Sequence, residues 1–323
     1  MMILFQDKII YMPSVPPFSR SEKLADYTGA CKPIHWRQEF IRSMDGTRIA
    51  LAIGENQARR DRSVEKSPDG GGGGGGGGGL VVVYFQGNGA SLPPRLPGLS
   101  DVLRGLDKCE RPVPCTLVAV SYRGYWTSTG RASQRGIERD AAAALEWVEE
   151  LQEQMGDRTQ VVLWGQSIGC GVATTAMANL LVKQEQDEFK GAKHTIQKVA
   201  GIVLETPFTS ISNMLVAFYP QKWLPYRYLT PFLWNHWDSV KALRMIKQRQ
   251  ATNLRLLVMI AKKDEVVPPE EGQELRRLCD ELGFDVTYQA VPGALHTECL
   301  IKGKGRQGIV EFLNRVQNDG EHV

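Results

Sequence analysis

The fold is decided by residues 161–171, which read VVLWGQSIGCG. A short apolar run leads into the pattern Gly-x-Ser-x-Gly, and small residues suited to a helix follow it. When a strand turns abruptly into a helix, the residue at the turn is strained and its side chain projects above the sheet. The chain passes so close to its neighbours there that Gly165 and Gly169 are needed on either side. The pattern therefore predicts that Ser167 is a nucleophile at a strand-to-helix turn.

Apolar, β-branched runs recur along the chain, and helical stretches separate them. A continuous run of this kind is typical of a strand buried on both faces. The predicted strands cover residues 80–85, 116–120, 161–164, 199–204, 254–260 and, more weakly, 286–291. The predicted helices cover residues 135–155, 168–183, 239–249, 270–282 and 306–317. A hairpin around Asp45 and Gly46, over residues 36–53, precedes them. This alternation predicts an α/β fold, with a mostly parallel twisted sheet and helices on both faces.

Two segments interrupt this pattern within what we expect to be a single domain over residues 1–323. Residues 57–79 are charged at first and end in an unbroken glycine run. Such a run has high backbone entropy and nothing to bury, so we expect a disordered insertion. Residues 210–237 are rich in aromatic side chains and broken by prolines. We interpret this second segment as an aromatic-rich cap over the site, with a core-packed connector as the equal alternative.

A serine hydroxyl needs a base to take its proton, and the chain offers five histidines. His296 lies in a loop between the last predicted strand and the last predicted helix, where an imidazole can reach Ser167. His236, in the aromatic segment, is the alternative. An acid must then orient the base, and Asp264 follows a predicted strand at the same edge of the sheet. The adjacent Glu265 is not excluded by spacing.

The negative charge that develops on a substrate carbonyl needs two main-chain N–H groups to stabilise it. One is expected from Ile168, which follows the nucleophile and opens a helix. The other is expected from Asn88, in the loop after the strand over residues 80–85, where Gly87 allows close approach. These two N–H groups are the predicted oxyanion hole.

Composition excludes several classes of protein. The formal net charge is only +3 and the basic residues are scattered, so we expect no nucleic-acid partner. The six cysteines are dispersed, with no CxxC pair, which predicts reduced thiols, a cytoplasmic setting and no metal site. The N-terminal residues fall short of the ~20 apolar residues that cross a bilayer. Peripheral contact with a membrane surface stays open, as does the oligomeric state.

On these motifs the chain resembles the α/β-hydrolase superfamily, in particular small eukaryotic and fungal α/β-hydrolase-domain serine hydrolases. The likeness runs from about residue 4 to residue 318, apart from the glycine run. Besides Gly-x-Ser-x-Gly, it is carried by SYRGY at 121–125, ETPFTS at 205–210, DEVVP at 264–268 and GALH at 293–296. The resemblance implies that Asp264 and His296 complete a catalytic triad. Gln86 departs from the family's usual histidine, and Trp126 replaces a glycine and is expected to narrow the mouth of the site.

We therefore expect a hydrolase for carboxylic esters or thioesters that works through an acyl-enzyme and needs no metal or organic cofactor. The aromatic segment indicates an apolar, lipid-like acyl group. The expected pocket side chains are Trp126, Phe208, Phe218 and Trp223. A non-catalytic interaction or membrane-peripheral protein with the same fold is the main alternative, and a serine peptidase is another.

Overall fold

A computed structural model describes residues 6–65, 79–156, 158–189, 199–218, 233–249 and 254–320. The described part of the chain contains one sheet of eight strands in the order β1-β2-β4-β3-β5-β6-β7-β8. The strands are β1 (His35–Arg42), β2 (Arg48–Glu55), β3 (Leu80–Phe85), β4 (Cys115–Ser121), β5 (Gln160–Gln166), β6 (Val199–Glu205), β7 (Arg255–Ala261) and β8 (Asp285–Val291). Of these eight strands, only β2 runs opposite in direction to the other seven, so the predicted mostly parallel sheet is confirmed.

Helices pack on both faces of this sheet. The helices are α1 (Gln6–Ile10), α2 (Thr28–Cys31), α3 (Gln57–Glu65), α4 (Leu96–Asp107), α5 (Gln134–Met155), α6 (Ile168–Phe189), α7 (Ile211–Phe218), α8 (Ser239–Arg249), α9 (Pro269–Glu281) and α10 (Gly303–Gly320). One core contains buried side chains of α5, α6, α8 and α9, and the other contains those of α2, α4 and α10. Helices on both faces are therefore confirmed as well.

Strand β3 shows why the buried strands read as unbroken apolar runs. Its six residues are all buried. Val81, Val83 and Phe85 belong to one core, whereas the intervening Val82 and Tyr84 belong to the other. Because successive side chains of a strand point to opposite faces, a sheet covered on both faces needs apolar residues at every position.

The segment over residues 57–79 was predicted as one disordered loop, and this is wrong for its first nine residues, which form α3. Two side chains cap the N-terminus of α3, one adjacent to the helix in sequence and the other distant in sequence. The Asn56 Oδ1 atom accepts the main-chain N–H of Arg59 at 3.2 Å. The Asp107 carboxylate accepts those of Gln57 at 3.1 Å and Ala58 at 3.0 Å. Capping side chains and a negative charge at its N-terminus stabilise α3, although its polar composition alone would not favour a helix. Residues 66–78 lie outside the described residues.

The aromatic segment over residues 210–237 is described only at its two ends. Helix α7 begins it, with Met214 buried in the core. At the other end Trp237 has no exposed surface, whereas Trp234 is exposed. Both described ends thus contact the core, and the predicted cap between them, residues 219–232, lies outside the described residues.

A membrane-spanning helix is not found within the described ranges, since none of their helices combines sufficient length with sufficient apolar character.

Candidate active site

Ser167 lies at the sharp turn between β5 and α6. Its φ angle is +54°, a left-handed conformation that side chains other than glycine rarely adopt. The main-chain N–H of Ser167 donates to the carbonyl of Glu205 at 2.8 Å, which fixes the turn to the end of β6. A Cβ atom on Gly165 would overlap the carbonyl of Gly169, and one on Gly169 would overlap the carbonyl of Phe85. Both glycines are therefore required by close backbone contacts, and the serine side chain is only partly buried.

Asp264 and His296 contact each other at the edge of the sheet at which Ser167 lies. The aspartate follows β7, and the histidine lies in the loop between β8 and α10. The His296 Nδ1 atom is 2.8 Å from Oδ2 of Asp264 and 3.0 Å from its Oδ1. Both side chains are nearly buried, with exposed fractions of 8% for the histidine and 3% for the aspartate. A carboxylate in this position accepts the Nδ1 proton, so Nε2 is left as the basic nitrogen.

The two acids that the sequence left open have different contacts. The Asp264 Oδ1 atom also accepts the main-chain N–H groups of Val266 at 2.9 Å and Val267 at 2.7 Å, which hold the carboxylate in place. The Glu265 Oε2 atom instead accepts the main-chain N–H of His296 at 3.0 Å. Asp264 therefore faces the imidazole, and Glu265 supports the loop that carries it. The alternative base His236 is exposed, beside Trp237.

The loop after β3 passes next to the nucleophile. Strand β3 pairs with β5, so the chain beyond Phe85 emerges beside the turn at Ser167. A Cβ atom on Gly87 would lie 3.5 Å from the Ser167 Cβ atom. Ile168, the other predicted donor, is the first residue of α6, and the first N–H groups of a helix have no acceptor within it. The loop and the helix start thus both lie next to the serine.

The Asn88 side chain anchors this loop. Its Oδ1 atom accepts the Tyr125 hydroxyl at 2.8 Å and the Gly89 N–H at 2.8 Å. The same oxygen accepts the main-chain N–H of Met12 at 3.1 Å, and the amide nitrogen donates to the carbonyl of Ile10. Because the side chain is held by these contacts, any oxyanion contact from this residue would come from its main chain.

Gln86 occupies the position at which the family resemblance leads us to expect a histidine. Its side chain has no exposed surface, and its carbonyl accepts the Tyr122 hydroxyl at 2.9 Å. Among the described residues, neither atom of its side-chain amide has a hydrogen-bond partner. The main-chain carbonyl of Gln86 therefore has a hydrogen-bond partner, whereas its side-chain amide is an unsatisfied buried polar group.

Residues 11 and 12, which sequence reasoning did not associate with the site, connect two parts of it. The buried Tyr11 hydroxyl donates to Asn235 Oδ1 at 2.9 Å and accepts the Trp237 Nε1–H at 2.7 Å. The next residue, Met12, contacts Asn88 as described above. The N-terminal segment thus links the end of the aromatic segment to the loop after β3, a long-range contact that no local pattern signals.

Glu205 is a second acid near the nucleophile, and sequence reasoning missed its role. Its side chain has no exposed surface. Its Oε2 atom accepts the Trp164 Nε1–H at 3.0 Å, and its Oε1 atom faces Gln166 Nε2 at 3.4 Å. Burial raises the pKa of the carboxyl to about 7, although the hydrogen bond from Trp164 and the charges of Arg95 and His296 lower it. The signal in the sequence was that Glu205, an acidic residue, ends the otherwise apolar strand β6.

The predicted pocket residues are not gathered around one cleft in the described part of the chain. Trp126 is buried in the core that contains α4, and its Nε1–H donates to the carbonyl of Glu22 at 2.8 Å. Phe208 is buried in the core on the other face of the sheet. The Phe218 side chain and the whole of Trp223 lie outside the described residues.

A mostly parallel eight-stranded sheet, covered by helices on both faces and with a serine at the turn after β5, is the α/β-hydrolase fold. The chain has this fold. An α/β hydrolase from Vibrio vulnificus has a similar structure, with a TM-score of 0.62 at 16% identity over 98% of this chain and 92% of that one. An esterase from Pyrococcus furiosus, Pf2001, gives a TM-score of 0.56 at 15% identity over 91% and 93% of the two chains.

In sequence, the chain is similar to α/β-hydrolase-domain proteins. It is 25% identical to protein bem46 of Schizosaccharomyces pombe over 98% of this chain and 87% of that protein. It is also 25% identical to the α/β-hydrolase domain-containing protein WAV2 of Arabidopsis thaliana, over 94% and 85%. A lysophosphatidylserine lipase, ABHD12 of Danio rerio, is 28% identical over 49% of this chain and 38% of the lipase. No family model matches the chain.

Proposed function

We propose that this protein is a serine hydrolase that cleaves a carboxylic ester or thioester through a covalent acyl-enzyme. The observation that carries this proposal is the strained, partly exposed Ser167 at the edge of the sheet that also bears the Asp264–His296 hydrogen bond. A strained serine at a strand-to-helix turn is the arrangement that presents a hydroxyl for attack. A carboxylate on Nδ1 leaves the imidazole able to take its proton.

In the proposed reaction Ser167 Oγ attacks the substrate carbonyl while His296 Nε2 takes the hydroxyl proton. Asp264 stabilises the imidazolium that forms, and the N–H groups of Asn88 and Ile168 stabilise the negative oxygen. The imidazolium then gives its proton to the leaving alcohol or thiol as the acyl-enzyme forms. Water, deprotonated by His296, then attacks the acyl-enzyme, and the imidazolium returns that proton to Ser167 Oγ as the acid and the free serine are released. Besides the substrate and water, these steps use only side-chain and main-chain groups of the chain.

We further propose that the acyl group of the substrate, which is transferred to Ser167, is apolar and lipid-like. The similarity to a lysophosphatidylserine lipase and the apolar composition of residues 210–237 support this choice. Phe218 and Trp223 stay our candidates for its pocket, whereas Trp126 and Phe208 are buried in cores on opposite faces of the sheet. Cytoplasmic placement with peripheral membrane contact stays a prediction.

The experiment is steady-state hydrolysis of 4-nitrophenyl esters from acetyl to palmitoyl, with Ser167→Ala as the test variant and Thr28→Ala as the matched control for the loss of a hydroxyl. Thr28 is exposed on α2, which precedes the outermost strand β1. We expect turnover by the unmodified protein and by the control, loss of at least about 10³-fold in Ser167→Ala, and higher kcat/KM for longer acyl chains. Equal activity of the two variants would contradict the hydrolase, and a preference for acetyl would contradict only the apolar substrate.

A further inference from the structure

Arg95 contacts the residue that precedes the nucleophile. It is the last residue before α4 and is half-buried. Its Nη1 atom donates to the side-chain oxygen of Gln166, the residue immediately before Ser167. Its Nη2 atom donates to the carbonyl of Gly89 at 3.4 Å. One guanidinium therefore contacts both the nucleophile turn and the loop after β3.

Gln166 is the central contact of this group. Its side chain is buried, and its Oε1 atom also accepts the Tyr84 hydroxyl at 3.1 Å. Its Nε2 atom faces the Glu205 carboxyl at 3.4 Å. Because two donors approach the oxygen and an acceptor approaches the nitrogen, the orientation of the amide is determined by its neighbours. The Gln166 side-chain amide is thus held in one orientation, and neighbouring groups can be positioned by contact with it.

The loop after β3 lies against this fixed amide. A Cβ atom on Gly87 would be 3.2 Å from the Gln166 Oε1 atom and 3.3 Å from its carbonyl oxygen. The loop therefore packs on the same oxygen that Arg95 contacts, and Arg95 contacts the loop again at Gly89. The residue between those two glycines is Asn88, whose main-chain N–H is one of the two proposed oxyanion donors.

We propose that Arg95 is a positioning residue for the oxyanion hole: it joins Gln166 to Gly89 and so sets the distance between the N–H groups of Asn88 and Ile168. This inference rests on the proposed function. Donors must lie about 2.7–3.1 Å from the developing oxyanion, and a displacement of about 1 Å costs on the order of 10²-fold in rate. A planar guanidinium with several N–H donors can hold two acceptors at once, whereas an ammonium is a single point of charge.

The test compares an oxoester with its thionoester, 4-nitrophenyl hexanoate and 4-nitrophenyl thionohexanoate. Sulfur accepts hydrogen bonds weakly, so hydrolysis of the thionoester depends less on the oxyanion donors. We expect Arg95→Met to lower kcat for the oxoester about 30-fold with KM changed less than about threefold. We expect its kcat for the thionoester to change less than about threefold, so the ratio of the two rates falls about tenfold or more.

Arg104→Met is the matched control. Arg104 lies on α4 and also donates to main-chain carbonyls, those of Cys31 at 3.0 Å and Lys32 at 2.7 Å. Its removal deletes comparable hydrogen bonds away from the turn, so the oxoester-to-thionoester ratio should not move. Arg95→Lys keeps the charge but not the double contact, and we expect a ratio between those of the unmodified protein and Arg95→Met. If Arg95→Met does not fold, Arg95→Lys decides.

The two levels of the proposal fail differently. If the unmodified protein hydrolyses neither ester, the proposed function is wrong and the role of Arg95 falls with it. If the unmodified protein is active and the Arg95 variants lose both rates equally, or lose neither, then only the positioning role is wrong. A lowered ratio in Arg95→Lys and Arg95→Met, with an unchanged ratio in Arg104→Met, supports it.

Discussion

Glu205 contacts the nucleophile turn through its main chain and the strand before that turn through its carboxyl. Its main-chain carbonyl holds the N–H of Ser167, and its side chain contacts Gln166 and Trp164. A buried carboxyl with a raised pKa keeps its proton at pH values where an exposed one has lost it. Because the Glu205 carboxyl is buried and the charges of Arg95 and His296 act on it, we expect its protonation state to affect stability.

The stability of the protein should depend on pH through Glu205. Its pKa rises from 4.5 to about 7 on folding, so between these values the folded protein binds the proton and the unfolded chain does not. Unfolding then releases a proton, and the free energy of unfolding falls as pH rises through this window, by up to about 3 kcal/mol. Glu205→Gln cannot ionise and should lack this fall.

The measurement is urea unfolding at pH 4.5, 5.5, 6.5 and 7.5, a range that covers the interval between the two pKa values of Glu205. Glu150→Gln, on the exposed side of α5, is the control for the loss of a carboxyl. We expect the difference in free energy of unfolding between Glu205→Gln and Glu150→Gln to grow with pH. If the two variants show the same pH dependence, burial does not raise the Glu205 pKa.

Asp264 and Glu265 are neighbours with different expected effects on rate. Asp264→Asn keeps the shape of the side chain but cannot stabilise the imidazolium, so kcat should fall by about 10³- to 10⁴-fold. Glu265→Gln keeps an oxygen that can accept the main-chain N–H of His296 and should cost less than about tenfold. Rates with 4-nitrophenyl hexanoate measure both. Equal losses would mean that the imidazole does not depend on Asp264 in the way proposed.

Sequence identified these residues only in part. A histidine in the last loop and an acid after β7 follow from strand order, so His296 and the pair of acids could be predicted. Which acid faces the ring depends on the path of two loops in space, and adjacent positions give no signal for it. Arg95 follows two prolines in a short turn, and its contact with Gln166 joins positions 71 residues apart.

At the scale of elements, the turn between β5 and α6 requires glycine for a reason that can be measured. A Cβ atom on Gly169 would overlap main-chain atoms of β3, which cannot rotate away as a side chain can. Gly169→Ala should therefore lower the free energy of unfolding by about 3 kcal/mol or more, because packed strands would have to separate. Urea unfolding measures the loss.

Gly303→Ala is the matched control for this turn. Gly303 begins α10, and a Cβ atom there would meet nothing within 4 Å. We expect a change within about 1 kcal/mol, of either sign, since alanine lowers the backbone entropy of the unfolded chain. Similar losses in Gly169→Ala and Gly303→Ala would mean that the turn is not closely packed against β3.

The strands could be predicted from sequence more fully than the helices. Runs of apolar residues over β3 to β7 are long enough to fix strands buried on both faces. Helix α4 was not predicted because Pro97 and Gly98 disfavour a helix interior, yet proline is tolerated in a first turn. Helix α3 was assigned to a loop because its N-terminus is stabilised by Asp107, about 50 residues away, and that contact forms only in the folded chain.

For the whole molecule, we propose that residues 1–323 form one domain around the single described sheet. Residues 66–78 lie between α3, which follows β2, and β3, and both of these strands are paired with β4. A specific protease site inserted within residues 66–78 should therefore be cut without separating the two fragments. We expect one peak in size-exclusion chromatography and retained ester hydrolysis, with the uncut protein as control. Separation of the fragments without denaturant would show that the two parts are not one cooperative unit.

The most direct test of the hydrolase mechanism is covalent labelling by a fluorophosphonate, read by intact mass and peptide mapping. A fluorophosphonate reacts with a serine only when a base activates its hydroxyl. We expect one adduct per chain, located at Ser167, and no adduct in Ser167→Ala or His296→Ala. An unlabelled protein, or a label on another serine, would contradict the mechanism, and a complete lack of labelling would favour the non-catalytic alternative.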